Sequence, residues 1–237
     1  MQLSIVVPCY NEGNTIENSA KAIVSHMAQT PEIDYELILV NDGSKDNTAS
    51  LIKRLADTYD NVIPVLCEKN GGKGAAVKEG VKKAQGDYIL FMDADLSTDL
   101  SAVNTFMKEI PHNDMVIGSR RHPDSVLVKS QGAVRKFIGN CCVVITKIIT
   151  RTKFNDTQCG FKGFTKELGA VLIEKQRIHG WAFDVEYLYI AKMQGCKVKP
   201  IPVKWENDEE SKVSPIKSSV SFFIELFKIV GNKKYYK

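Results

Sequence analysis

Through its first hundred residues the chain alternates short apolar runs with longer stretches whose apolar positions recur at helical spacing. Leu3 to Val7 reads as a buried strand, stopped by Pro8 and followed by Tyr10-Asn11-Glu12-Gly13. Ile16, Ala20, Ile23, Val24 and Met27 then predict a helix that Asn14 or Thr15 can cap and Pro31 ends. Tyr35 to Val40 is a second strand; Asn41-Asp42-Gly43-Ser44 turns the chain into a helix carrying Leu51, Ile52 and Leu55. Val62 to Leu66 leads to Lys69-Asn70-Gly71-Gly72-Lys73-Gly74 and a helix starting near Ala75. Tyr88 to Met92 is a fourth strand, and it stops in Asp93-Ala94-Asp95. Strand–helix alternation of this kind predicts an α/β, Rossmann-like fold: a mostly parallel central sheet with helices on both faces. The four polar turns then share the carboxyl end of the sheet, where open α/β folds bind ligands.

The pattern changes after Asp95. Met115 to Gly118 predicts a short strand running into Ser119-Arg120-Arg121. From Val134, apolar residues fall at Phe137, Ile138, Cys141, Cys142, Val144, Ile145, Ile148 and Ile149, with Arg135, Lys136, Lys147 and Arg151 on the opposite arc. This predicts an amphipathic helix near 130–151. It fits a membrane-surface helix and equally a core helix with a solvated basic face. A second apolar stretch, 216–230, carries Phe222, Phe223, Leu226, Phe227 and Val230, which suit either a surface-lying face or packing on the sheet.

With 237 residues, the chain is expected to form one domain, with a first half over 1–98 and a second over 99–237 that the resemblance described below makes the nucleotide-sugar-binding and acceptor-binding halves. At 43% hydrophobic and 25% charged, it has no disordered character. No run approaches the ~18 uncharged apolar residues of a membrane span, and no secretory signal is recognisable, so attachment to a membrane is expected to be peripheral, at the cytoplasmic face. Six cysteines without zinc or scaffold spacing read as reduced thiols. Charge alters the picture more. Ser119 to Lys153 holds eight Lys or Arg against Asp124 alone, in a chain of net +4, so the remainder is acidic on balance. The favoured partner for this segment is an anionic lipid surface. Without aromatic interleaving or a matching motif, nucleic acid is not expected as a partner.

Asp93 and Asp95 offer hard oxygen ligands that suit Mg²⁺ or Mn²⁺, although an isolated Asp-x-Asp describes a solvated turn just as well. Gly71-Gly72-Lys73-Gly74 before a helix can bring backbone N–H groups and Lys73 to a phosphate. It lacks the spacing of an ATPase phosphate loop, and no dinucleotide fingerprint follows the first strand.

Val7-Pro8-Cys9-Tyr10-Asn11-Glu12, Val40-Asn41-Asp42-Gly43-Ser44, Asn70-Gly71-Gly72-Lys73-Gly74 and Asp93-Ala94-Asp95 resemble the successive signatures of family 2 glycosyltransferases. That resemblance implies a GT-A fold, a UDP-sugar donor and a divalent metal held by Asp93 and Asp95. It also implies nucleoside contacts from Tyr10, Glu12 and Asp42, with Pro8 lining the pocket. Asp156-Thr157-Gln158-Cys159-Gly160-Phe161-Lys162, His179 to Glu186 and Ser211-Lys212-Val213 narrow it to the dolichyl- and polyprenyl-phosphate sugar synthases, nearest the glucosyl branch. The implied acceptor is a polyprenyl phosphate, gripped by Arg120 and Arg135, with Lys212 approaching the departing diphosphate. Arginine suits that work because its planar fork can make two hydrogen bonds to phosphate oxygens. Gln158 is implied near the sugar, Asp184 in a positioning role, and Trp181 either at the sugar or in the core. Ser97 stands where mannosyl relatives have a metal-binding glutamine, which leaves the third ligand open. Rival readings are a transferase extending a cell-surface glycan or other hydroxyl acceptor, with an acid of the Asp184 region as base, and a non-catalytic UDP-sugar-binding module partnering a membrane protein.

Overall fold

The computed structural model describes residues 2–128, 133–206 and 215–236. Its first half follows the predicted alternation. Strands β1 (Leu3–Cys9), β2 (Tyr35–Asp42), β3 (Val62–Cys67) and β4 (Tyr88–Met92) are parallel, linked by helices α1 (Ile16–Met27), α2 (Thr48–Thr58) and α3 (Lys73–Lys83). These strands are apolar on both faces because each face is covered. Val6, Ile38, Val40 and Phe91 face one core, while Ile5, Val7, Leu37, Leu39, Leu90 and Met92 face the other.

Helix α4 (Ser101–Glu109) and strand β5 (Met115–Ser119) follow, then β6 (Val126–Leu127), helix α5 (Ala133–Thr150), β7 (Phe161–Thr165), helices α6 (Lys166–Lys175) and α7 (Phe183–Met193), β8 (Val198–Pro202), β9 (Lys204–Trp205) and helix α8 (Pro215–Gly231). The central sheet has the order β3-β2-β1-β4-β7-β5-β8; β6 and β9 form a separate small pair. Strand β2 leaves β1 on one side and β4 lies on the other, so a switch point opens beyond the carboxyl ends of β1 and β4.

Strand β7 escapes sequence pattern. It runs antiparallel between β4 and β5, pairing Phe91 with Lys162 and Val116 with Gly163. Lysine and glycine are poor strand formers. Here Lys162 is fully buried, and a side chain on Gly163 would strike the ring of Phe106. Tertiary fit overrides propensity at both positions.

Helices α5 and α8 pack on one another and remain partly apolar outside. On α5, Cys142, Thr146 and Thr150 are buried, whereas Val144 and Ile148 are exposed. On α8, Phe222, Leu226 and Ile229 are buried, so Phe222 and Leu226 belong to the core and not to a surface-lying face. Ile224 and Phe227 are the large apolar side chains that α8 exposes among its described residues. No described helix is long and apolar enough to cross a membrane.

Candidate active site

The loops that follow the parallel strands are tied to one another by side chains. Asn11, at φ 55°, donates its N–H to Ser44 Oγ at 3.0 Å and accepts from the Lys45 N–H at 2.9 Å. The Glu12 N–H donates to Thr48 Oγ1 at 2.9 Å. Asp42 is 4% exposed, and its carboxylate gathers the glycine loop: it accepts from the N–H of Gly71 (2.8 Å), the N–H of Gly72 (3.0 Å) and Asn70 Nδ2 (2.9 Å). In this structure Asp42 therefore shapes the loop that carries Lys73. Gly72 has φ 93°, and a Cβ there would press on the carbonyl of His179, so glycine is required for the loop to reach the α6–α7 connection. Pro8 sits in β1 beside Val40, and Tyr10 is left 42% exposed at the rim.

Asp93 and Asp95 lie beside this loop. The Asp93 N–H donates to the Gly160 carbonyl at 3.1 Å, and a Cβ on Gly160 would collide with the Asp93 carboxylate. The chain then turns through Leu96 at φ 50°, and Asp95 Oδ1 accepts from the Ser97 N–H at 2.9 Å. Lys73 Nζ stands 2.5 Å from Asp93 Oδ1 and 5.6 Å from the centre of the Trp181 ring. Burial raises the Asp95 pKa, and the neighbouring Asp93 charge adds to the rise. Burial also opposes the Lys73 ammonium, but Asp93, Asp184 and Asp95 outweigh it and hold its pKa above the ordinary lysine value.

These residues fit a hard divalent cation. Asp93 Oδ1 is buried, makes no hydrogen bond of good geometry among the described residues and has the Lys73 ammonium against it. Two acids at this spacing leave the rest of a Mg²⁺ or Mn²⁺ shell to water and phosphate. Among the described residues no third acid, histidine or cysteine joins them, and Ser97 orients Asp95 through its backbone.

On the other side stands Arg120. Its Nε and Nη2 donate to the two oxygens of Asp156, each at 2.8 Å, and its backbone N–H donates to the same carboxylate at 2.9 Å. The Trp205 ring lies 5.5 Å from the guanidinium carbon. Burial works against the Asp156 carboxylate, but Arg120 prevails and lowers its pKa to about 2. Burial likewise opposes the guanidinium; Asp156 raises its pKa, and Asp93 contributes in the same direction. Gln158 is half-buried, with its N–H 3.3 Å from Asp156 Oδ1. Arg135 lies in the first turn of α5, but its side chain is outside the described part of the structure, and Lys212 lies outside the described residues altogether.

Asp184 lies at the start of α7, 4% exposed, and accepts from Lys162 Nζ at 2.7 Å; the same ammonium donates to the Cys159 carbonyl. Burial raises the Asp184 pKa against the pull of Lys162 and Lys73. Trp181 is half-exposed and lies against Lys73, so it belongs to the site rim and not to the core. Glu186 is turned inward, accepting from the N–H groups of Arg177 and Ile178 and from the Tyr236 hydroxyl.

Lys73, Asp93, Asp95, Trp181, Asp184 and Arg120 thus share one region. Sequence reasoning assigned no part to Asp156, Gly160, Lys162 and Trp205. The first three were visible as one contiguous motif; Trp205 carried no signal beyond being one of two tryptophans.

An open α/β sheet with an acid pair and a glycine loop at its switch point is the architecture of GT-A glycosyltransferases. The family model for glycosyl transferase family 2 matches residues 4–168, and the chain belongs to that family. It is 34% identical over 236 residues to a dolichyl-phosphate beta-glucosyltransferase of Trichomonas vaginalis, covering 95% of this chain and 70% of that protein. A dolichyl-phosphate beta-glucosyltransferase of Dictyostelium discoideum is 33% identical over 239 residues, covering 96% and 73%. The fold is also that of glucosyl-3-phosphoglycerate synthase from Mycobacterium tuberculosis, solved with Mn²⁺, UDP and glucosyl-3-phosphoglycerate. There the TM-score is 0.67 at 17% identity, over 97% of this chain and 80% of that one.

Proposed function

We propose that this glycosyltransferase moves a hexose, glucose or N-acetylglucosamine, from a UDP-sugar to a polyprenyl phosphate and inverts the anomeric carbon. The observation that carries the reading is a division of charge within one site. Two acids and a lysine lie at the end of β4, and at the end of β5 stands a guanidinium held by a buried acid. The names of the relatives point to the same class of acceptor.

Each side chain has its part. Tyr10 offers a ring to the base and Glu12 an acceptor for nucleoside donors, while Asp42 keeps the glycine loop and Lys73 beneath the diphosphate. Asp93 and Asp95 hold Mg²⁺ or Mn²⁺. When bound, that ion neutralises the charge growing on the departing UDP. Arg120 presents the guanidinium edge not used by Asp156 to the lipid phosphate, and Arg135 and Lys212 complete the cationic side. A phosphate monoester is already anionic, so it needs steering and no general base. Asp184 supports this: an acid buried against Lys162 is poorly placed to take a proton from an alcohol acceptor. Attack from the face opposite UDP yields a β-linked product from an α-linked donor.

The same reading brings the chain to the cytoplasmic membrane surface through Val144 and Ile148 of α5 and Ile224 and Phe227 of α8. The experiment is a UDP-sugar panel with short-chain polyprenyl phosphate and Mn²⁺, followed by mass analysis of the lipid. A lipid carrying one phosphate and one hexose is expected; release of free sugar without any glycolipid would refute the assignment.

A further inference from the structure

Lys73 occupies an unusual place for a group expected to grip a phosphate. Its ammonium is 2.5 Å from Asp93 Oδ1, the oxygen best placed to meet a metal. Its side chain is 20% exposed, lies along Trp181, and begins at the first residue of α3, immediately after the left-handed Gly72. The other nearby acid, Asp184, already has Lys162 as its partner at 2.7 Å. Among the described residues the acid pair therefore has Lys73 as its ion-paired cation, and a dication arriving at Asp93 would meet it at close range.

We infer that Lys73 is the resident counter-ion of the acid pair: it competes with the divalent metal for Asp93 and yields that carboxylate when a nucleoside diphosphate offers its ammonium another anion. The inference rests on the donor site proposed above. Its physical basis is that a dication and an ammonium cannot share one carboxylate oxygen without strong repulsion. A diphosphate beside the glycine loop relieves the conflict, because the Lys73 ammonium can then turn from Asp93 to the phosphate oxygens. Trp181 gives the stem an aromatic surface along which to swing. Metal and nucleotide would thereby bind as a coupled pair, and the metal alone only weakly. Coupling of this kind is reciprocal, so the metal must tighten UDP by the same factor.

The test is Mn²⁺ binding followed by the paramagnetic resonance of the free ion, with and without UDP, in the wild type, Lys73→Met and Asp93→Asn. An opposite charge within hydrogen-bond reach biases a carboxylate at least tenfold. Lys73→Met should therefore bind Mn²⁺ without nucleotide about tenfold more tightly than the wild type, and UDP should improve that affinity by a correspondingly smaller factor. Lys73→Arg, which keeps the charge, should behave as the wild type. Unchanged or weaker Mn²⁺ binding by Lys73→Met in the absence of UDP overturns the inference while leaving the metal site standing. Wild type that takes up no Mn²⁺ even with UDP, or Asp93→Asn that binds as well as wild type, overturns the donor-site reading and the inference with it. Should Lys73→Met not fold by circular dichroism, Lys73→Gln carries the same two expectations.

Discussion

The two sides of this site are neutralised by opposite means. At the β4 end, negative charge is in excess: Asp93 and Asp95 lie two residues apart with Lys73 paired to Asp93, and burial and the Asp93 charge raise the Asp95 pKa. At the β5 end, positive charge is fixed. Arg120 is clamped by Asp156 through three hydrogen bonds and stacked near Trp205, leaving little for the side chain to rearrange. The first arrangement invites a cation. The second offers a rigid, oriented donor to an anion. An enzyme that must stabilise a departing diphosphate and receive a phosphate needs both, and the buried Lys162–Asp184 pair sits behind them as a settled ion pair.

Removing a charge from either side should produce different losses. Asp93→Asn is expected to lower turnover by about 10³-fold or more, the scale of metal-assisted leaving-group stabilisation. Sugar transfer from a labelled donor measures it. Arg120→Ala strands the buried Asp156 carboxylate, so beyond losing saturation with polyprenyl phosphate it should lose about 3–5 kcal/mol of stability by urea denaturation. Equal loss of donor and acceptor affinity would blur the two sides into one.

Gly160→Ala sharpens the comparison without touching charge. Its methyl group would displace the Asp93 carboxylate, and a misplacement of that size can cost about 10²-fold in rate while the sheet remains intact by circular dichroism. Asp156→Asn tests the clamp by pH. Because folding lowers the Asp156 pKa from 3.8 to about 2, its stabilisation is full above pH 3.8 and fades as pH falls toward 2. The wild type should exceed Asp156→Asn by ~2 kcal/mol at neutral pH, and the gap should close in acid. A gap independent of pH would remove Arg120 as its cause. The smallest effect belongs to the outer face: Ile148→Ser with Phe227→Ser should weaken flotation with anionic liposomes by about tenfold, less than the full burial of two apolar side chains because an interface covers each only in part, and leave UDP binding unchanged.

How much of this was legible in the sequence also divides between the two sides. The donor side is written in contiguous turns after strands whose apolar runs are unmistakable, so periodicity located the turns that carry Asp42, Lys73, Asp93 and Asp95, and the family resemblance gave Asp42, Asp93 and Asp95 their roles. The acceptor side is assembled from distant segments. Arg120 meets a partner 36 residues away and an aromatic ring from β9, relations that no local pattern encodes. Strand β7 was hidden because Lys162 and Gly163 obey packing and not strand propensity. Amphipathic patterning located α8 but left its faces open: Phe222 and Leu226 turn into the core, and Ile224 with Phe227 turns out. A helix with apolar residues on much of its circumference does not reveal which arc the rest of the protein will cover.

The most direct measurement compares two acceptors that differ only in charge, a short-chain polyprenyl phosphate and the corresponding polyprenol, with UDP-glucose and Mn²⁺. Cations that steer an anionic nucleophile, with Asp184 held by Lys162, predict turnover of the phosphate alone and its loss in Arg120→Ala. Comparable glucosylation of the alcohol, abolished by Asp184→Asn, would contradict the account.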